Sequence, residues 1–269
     1  MPSVASLHVY PIKSLGGVTL GQSAVTRRGL RHDRRWMLVD EDGVFLSQRS
    51  ISRMALFRQV ITPAGLRVQG PSGATLEIPI DAERERVEVQ VWKSEVEAVR
   101  VSDEADAWFS SEMGRPARLV YMPEDSVRPT HPDFTQPGDL VGFADAFPVL
   151  VISQASLDDL NRRLEEPIPM NRFRPNVVLD GCAPYEEDHW SGFTLNGIHF
   201  RHAKTCGRCQ VTATSQETGS VGKEPLRTLA TYRKEGSVVY FGCYYVPETE
   251  GEACVGDELE IASAADGTA

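Results

Sequence analysis

The segment Lys204-Thr205-Cys206-Gly207-Arg208-Cys209-Gln210 sets two cysteines three positions apart, with cations on both sides of the first. Such a pair can exchange disulfides, supply half of a zinc site, or offer one thiolate to a soft metal. Neighbouring cations favour the thiolate, the form that ligates such a metal. A redox pair of the thioredoxin kind needs its first cysteine at a helix N-terminus within a βαβ unit. Here the pair follows a hairpin and leads into an expected strand over 211–214. A zinc site would draw on His199, His202, Cys206 and Cys209. Residues three apart in a strand face opposite ways, so the two histidines would diverge. The plainest alternative is a pair of packing thiols.

Cations are the second signal. The chain holds 28 Lys plus Arg, and only five of them are lysines. Lys13 and Lys204 sit in loop-like contexts beside Ser14 and near Cys206. Arginines gather in Asp33-Arg34-Arg35-Trp36 and in Asn171-Arg172-Phe173-Arg174-Pro175-Asn176. A residue before proline is pushed toward extended geometry, which would present Arg174 from a strand start. The guanidinium fork suits a phosphate or a pterin carbonyl. A structural carboxylate is the competing partner for each arginine.

The remaining composition bounds these readings. With 269 residues, 41% hydrophobic and 25% charged, the chain is neither disordered, collagen-like nor a coiled coil. A net charge of −10 argues against nucleic acid as a partner, yet leaves room for a local basic pocket. No apolar run reaches the ~20 residues of a membrane helix, so no membrane partner is expected. The first residues lack a basic start, apolar core and cleavage site. Five scattered cysteines do not make a disulfide scaffold. A reducing, cytoplasmic setting is the expectation.

The elements that must hold these residues are mostly strands. Strands are expected at 4–10, 35–40, 44–48, 59–62, 66–69, 75–80, 87–92 and 96–101, with Asp42-Gly43 as a hairpin turn. A helix over 104–113 is capped by Asp103 and stopped by Gly114. The Pro- and Asp-rich stretch 122–139 reads as a loop and domain joint. A second helix spans 154–164, capped by Ser153, with Leu157, Leu160 and Leu164 as its core stripe. A strand over 176–180 and a hairpin over 193–200 around Asn196-Gly197 come next. A third helix begins near Glu224-Pro225, with Leu226, Leu229 and Arg233 along one side. Strands over 238–246 and 258–261 close the chain.

In order, YPIKS, GLRHDRRWMLVD, FADAFPVLVISQASLDDLNRRL, NRFRPNVVLDG, TCGRCQVTATSQETG, KEPLRTL and FG resemble a MOSC protein with an N-terminal MOSC β-barrel. The resemblance runs from about residue 3 to about 262 and includes the branch of the mitochondrial amidoxime-reducing component. It implies an α+β, β-rich fold. An N-terminal β-barrel domain would occupy 1–122, a MOSC β-barrel domain with a few peripheral helices 123–263, and a tail 264–269. It implies a molybdenum–pyranopterin (molybdopterin) cofactor, with Cys206 as the thiolate on the metal and Cys209 not a ligand. Lys13, Ser14, Arg34, Asp145, Phe147, Arg174, Lys204, Thr205 and Phe241 match positions near the cofactor. Phe147 stands where the family has a small polar residue, and Arg35 where it has an aromatic one.

The implied reaction is oxygen-atom removal from small N-hydroxylated or N-oxygenated compounds at Cys206, with Asp145 or a metal-bound water as the candidate proton donor. Some relatives carry a fused ferredoxin-like domain. Residues 251–269 hold no such cysteine cluster, so a separate reductase or electron-donor protein is expected. The alternative is a sulfur carrier or cofactor-handling protein, with a persulfide on Cys206 or Cys209.

Overall fold

The computed structural model describes residues 1–80, 85–134 and 136–262. Position 263 and the expected tail 264–269 lie outside the described residues. Strand outweighs helix, 40% to 15%, as a β-rich α+β chain requires. Alternation drives this: Thr75–Pro79 runs exposed, buried, exposed, buried, exposed, the two-residue period of a half-buried strand.

The largest sheet has nine strands. Its middle is Ile198–Gly207, Val238–Pro247, Val149–Ser153 and Val177–Asp180, and its far edge is Ser3–Val9 with Val18–Leu20. Val149–Ser153 lies parallel to Val177–Asp180, while the other pairs in this path run antiparallel. Strand Val149–Ser153 is buried at every position, as a strand covered on both faces must be. A four-stranded sheet orders Trp36–Val39, Arg118–Tyr121, Ser94–Arg100 and Arg86–Val91. Two three-stranded sheets complete the set. Two of the sheets lie wholly within residues 1–122, and two strand pairings tie that stretch to the rest of the chain. Ser3–Val9 pairs with Val177–Asp180, and Gly251–Cys254 pairs with Gln22–Thr26.

Helix α1 spans Asp103–Met113, and Ser102, not Asp103, caps it: its side chain accepts from the Ala105 N–H at 3.0 Å. Gly114 ends the helix at φ 67°. Helix α2 spans Gln154–Asn161, three residues shorter than expected, with Ser153 as cap. Leu157, Leu160 and Leu164 are buried in one cluster with Phe173, Cys206 and Phe241. This cluster is the floor beneath the cysteine pair. Helix α3 shrinks to Leu226–Leu229, and Pro225 precedes it instead of opening its first turn. Asn196-Gly197 makes the expected hairpin, both at positive φ. Residues 44–48 form bridges only. Residues 210–213 form a 3₁₀ turn where a strand was expected.

One buried group lies apart from the cysteine pair. Glu187 is fully buried; its Oε1 accepts from Ser153 N–H at 3.0 Å and Ser156 O–H at 2.9 Å. Its Oε2 has no partner among the described residues. Burial outweighs these bonds and raises its pKa above the ordinary 4.5. The folded chain thus keeps a proton that the unfolded chain releases. Stability must fall as pH rises from 4.5 toward the folded-state value. Glu187→Gln cannot ionise. Its melting temperature should match wild type near pH ~4 and exceed it near pH ~8, by about 1–3 kcal/mol of stability. Parallel melting curves across that range would show that the carboxyl is not held protonated.

Candidate functional site

Three turns bring the cations together, and each bends through a conformation that side chains resist. Ser14, Arg34 and Arg174 sit at φ 67°, 45° and 57°, in the left-handed region. Non-glycine residues there carry a strain that surrounding contacts must hold. Arg174 therefore is not extended, although proline follows it. Its Nη1 donates to Leu15 O at 2.7 Å, and its guanidinium lies 4.1 Å from the Tyr10 ring centroid. Arg34 covers the same ring at 4.3 Å and pairs with Asp33 at 2.6 Å. Gly142 admits this turn, because a Cβ there would stand 2.8 Å from Arg34 O.

The strand Ile198–Gly207 supplies the cysteine side. Lys204 and Cys206 line one cavity, while Thr205 lines a neighbouring one that Lys204 also reaches. Past the strand, Arg208 turns back: its Nε donates to Phe241 O at 2.7 Å and its Nη1 to Phe173 O at 3.0 Å. Cys209 follows and is half-buried.

These elements enclose a cavity of about 320 Å³. Lys13, Ser14, Arg34, Asp145, Phe147, Arg174, Lys204 and Cys206 all line it. Thr205 does not; it lines a neighbouring cavity with Asp188 and Tyr232. Phe241 does not either. It is fully buried and stacks at 4.3 Å on Phe173, which does reach the cavity. Lining residues that were not assigned to the site from sequence include Arg49, Trp92, Arg172, Arg208, Cys209 and Tyr244. Arg172, Arg208 and Cys209 stood inside the quoted motifs. Tyr244 carried the period-2 signal of its strand but no motif of its own. Its side chain lies by the Cys206 thiol, whose Sγ donates to Gly207 O at 3.7 Å.

The two thiols differ. Cys206 is 2% exposed and packs within the Leu157–Phe241 cluster. Burial pushes its thiol up, against the pull of Arg208. The expected lowering by flanking cations is thus overcome by desolvation. Cys209 is the less buried of the two. The four residues of the zinc alternative do not gather. Among the described residues no three His, Cys, Asp or Glu side chains are placed to share a metal. His199 bonds Thr194, and His202 packs on Tyr245.

Charge in the cavity is lopsided. Lys13, 6% exposed, donates to Phe143 O at 2.7 Å and Asp145 Oδ1 at 2.6 Å. Asp145, 49% exposed, is the cavity's one lining carboxylate among the described residues. Enclosure alone would raise its pKa. The Lys13 ammonium, with the Trp92 indole and Arg49, more than reverses that and holds it well below the carboxylate range. A group held so firmly ionised is a poor proton donor, which corrects the expectation for Asp145. Arg172, Arg174, Arg208 and Lys204 pair with no carboxylate among the described residues. Burial, then repulsion from Arg34, lowers Arg174 to about 10. Arg208 Nη2 is buried without a partner among the described residues. A buried cation without a carboxylate, such as Arg174, and an orphaned buried donor are costly unless an anion completes them. Two thiols within that ring add soft ligands. The residues present therefore fit an anionic cofactor that carries a soft metal.

Two family models match the chain. The MOSC N-terminal beta barrel domain matches residues 1–116, and the MOSC domain matches residues 139–260. Mitochondrial amidoxime-reducing component 1 of Homo sapiens is 32% identical, covering 96% of this chain and 82% of the relative. Its Mus musculus counterpart is 33% identical over the same shares. Molybdenum cofactor sulfurase of Oryza sativa subsp. japonica is 30% identical, covering 95% of this chain and 34% of that protein. With both domains matched and these relatives aligned along nearly its whole length, the chain belongs to the MOSC family, in the branch that places an N-terminal beta barrel domain ahead of the MOSC domain.

Proposed function

We propose that this protein is a molybdenum-cofactor-dependent oxidoreductase that removes oxygen from N-hydroxylated compounds. The observation that carries the reading is the ring of carboxylate-free cations around two thiols, Arg172, Arg174, Arg208 and Lys204 beside Cys206 and Cys209. The similarity to amidoxime-reducing components along 96% of the chain supports the reaction class. When bound, the pyranopterin-held metal supplies two-electron oxygen-atom removal. For an amidoxime, two electrons and two protons then yield the amidine and water. The electrons come from a separate donor protein.

The protein's own part is binding and orientation. Arg34, Arg174 and Lys13 form a preset cationic wall for the cofactor's anionic groups. Both cysteines line the cavity, and Cys209 is the better-placed thiolate for the metal because it is half-buried, whereas Cys206 is 2% exposed and packs in the core cluster. Tyr244 and Cys206 brace that loop from below. Asp145 stays ionised and anchors Lys13 rather than moving a proton.

A carrier reading is favoured by the less buried Cys209 and by the kinship with a molybdenum cofactor sulfurase. The two separate in a single turnover. Chemically reduced, cofactor-loaded protein mixed with benzamidoxime should release benzamidine, about one per chain. Absence of amidine, together with a persulfide on the intact protein, would replace the reductase with the carrier.

A further inference from the structure

Arg49 stands apart from the other cavity cations. The inner ones are buried: the side chains of Lys13 and Arg34 are 6% and 13% exposed. Arg49 is 41% exposed and lies at the open rim. Its guanidinium makes no hydrogen bond among the described residues. Its nearest carboxylate oxygen, Asp145 Oδ2, is 4.0 Å away, while Asp145 is already paired with Lys13 at 2.6 Å. What holds Arg49 is the indole of Trp92, 4.2 Å from its Cζ to the ring centroid. A guanidinium laid on an aromatic ring keeps its N–H edge free and fixed.

Trp92 is built to be that platform. Val91 pairs with Ser94, which leaves Trp92-Lys93 as a two-residue hairpin turn. Trp92 takes φ 56° there. Hairpin turns reserve such positions for glycine, asparagine or aspartate. A bulky residue there is a true outlier, and such outliers concentrate at functional sites. Three contacts hold the strained residue: its indole Nε1 donates to Asp145 Oδ1 at 3.1 Å, Phe45 packs on the ring at 4.6 Å, and its backbone carbonyl accepts from Gln90 Nε2 at 2.9 Å.

We propose that Arg49, fixed on Trp92 at the cavity rim, is a fork that recognises a carboxylate on the substrate. It sets a preference for N-hydroxylated compounds that carry an anionic group over neutral ones. A planar carboxylate matches the guanidinium edge in two parallel bonds. The rim also favours it electrostatically, since Asp145 is already neutralised by Lys13 and Lys204 faces the same cavity. The inner cations suffice for the cofactor, which leaves the exposed one for the incoming molecule. This inference rests on the reductase reading for the reaction, though not for binding.

The test is calorimetric titration of the cofactor-loaded protein with benzamidoxime and with para-carboxybenzamidoxime at low salt. Wild type should bind the carboxylated compound about tenfold tighter, the value of one partly exposed charge-assisted pair. Arg49→Gln should bring the ratio of the two affinities near unity. Arg49→Lys, with the charge but without the fork, should keep only part of it. Equal affinities in wild type, or an undiminished preference in Arg49→Gln, would overturn the proposal. So would loss of pterin from Arg49→Gln, because the fork would then belong to the cofactor. A carboxylated compound that binds through Arg49 but is never reduced would sink the reductase reading and leave this one standing.

Discussion

Arg174→Gln should lower cofactor retention by about 10- to 100-fold without lowering the melting temperature of the cofactor-free protein. The two halves follow from one fact. Arg174 is a buried cation without a carboxylate among the described residues, lowered to about 10 by burial and by Arg34. In the cofactor-free chain its charge is uncompensated, so deleting the charge removes a cost. That gain offsets the lost bond to Leu15 O. In the loaded chain an anion completes the guanidinium, and its loss removes a charge-assisted hydrogen bond. Retention is read as pterin fluorescence remaining after prolonged dialysis. Full retention would remove Arg174 from the cofactor wall. A melting temperature several degrees lower would make it a structural arginine instead.

Much of this wall was legible in the sequence, and the failures have physical causes. The motif segments carrying Lys13, Arg34, Arg174 and Lys204 name side chains that line one cavity, since loops that serve a ligand concentrate unusual residue types. Thr205 fails for a reason already present in the sequence. Lys204 and Cys206 share a strand face, so the residue between them must point away. Phe241 fails through burial, since it supports Phe173 from behind. Trp92 carries no local signal, because nothing in Val91-Trp92-Lys93 marks a left-handed turn; only the packing of Phe45 and Asp145 selects it. The expected extended Arg174 yields to tertiary contacts with Leu15 and Tyr10. The strand expected over 211–214 becomes a 3₁₀ turn, with Thr212 Oγ1 donating to Cys209 O at 2.9 Å. That turn keeps Cys209 at the cavity. The choice between the two cysteines depends on burial, which spacing alone does not encode.

The cysteines should separate cleanly when each is replaced. Cys209→Ala should lose molybdenum about tenfold or more, since even residues that merely orient a metal ligand shift affinity by about 10- to 100-fold. Its melting temperature should hardly move, because the side chain is half-buried and outside the core cluster. Cys206→Ala should do the reverse. It opens a small void among Leu157, Phe173 and Phe241 and removes the sulfur's bond to Gly207 O, at about 1–2 kcal/mol. Most of its metal should remain. Metal lost from Cys206→Ala and kept in Cys209→Ala would return the ligand role to Cys206.

The central claim is that this cavity holds one molybdenum–pyranopterin through a thiolate of the Cys206–Cys209 loop. Its most direct test is elemental analysis, paired with fluorescence of the acid-released, oxidised pterin. The protein would be purified from a host that makes the cofactor, as wild type, Cys206→Ala and Cys209→Ala. The expected result is close to one molybdenum and one pterin per wild-type chain, with the metal falling sharply in Cys209→Ala. A well-folded wild-type chain with neither metal nor pterin, or full metal in both variants, would contradict it.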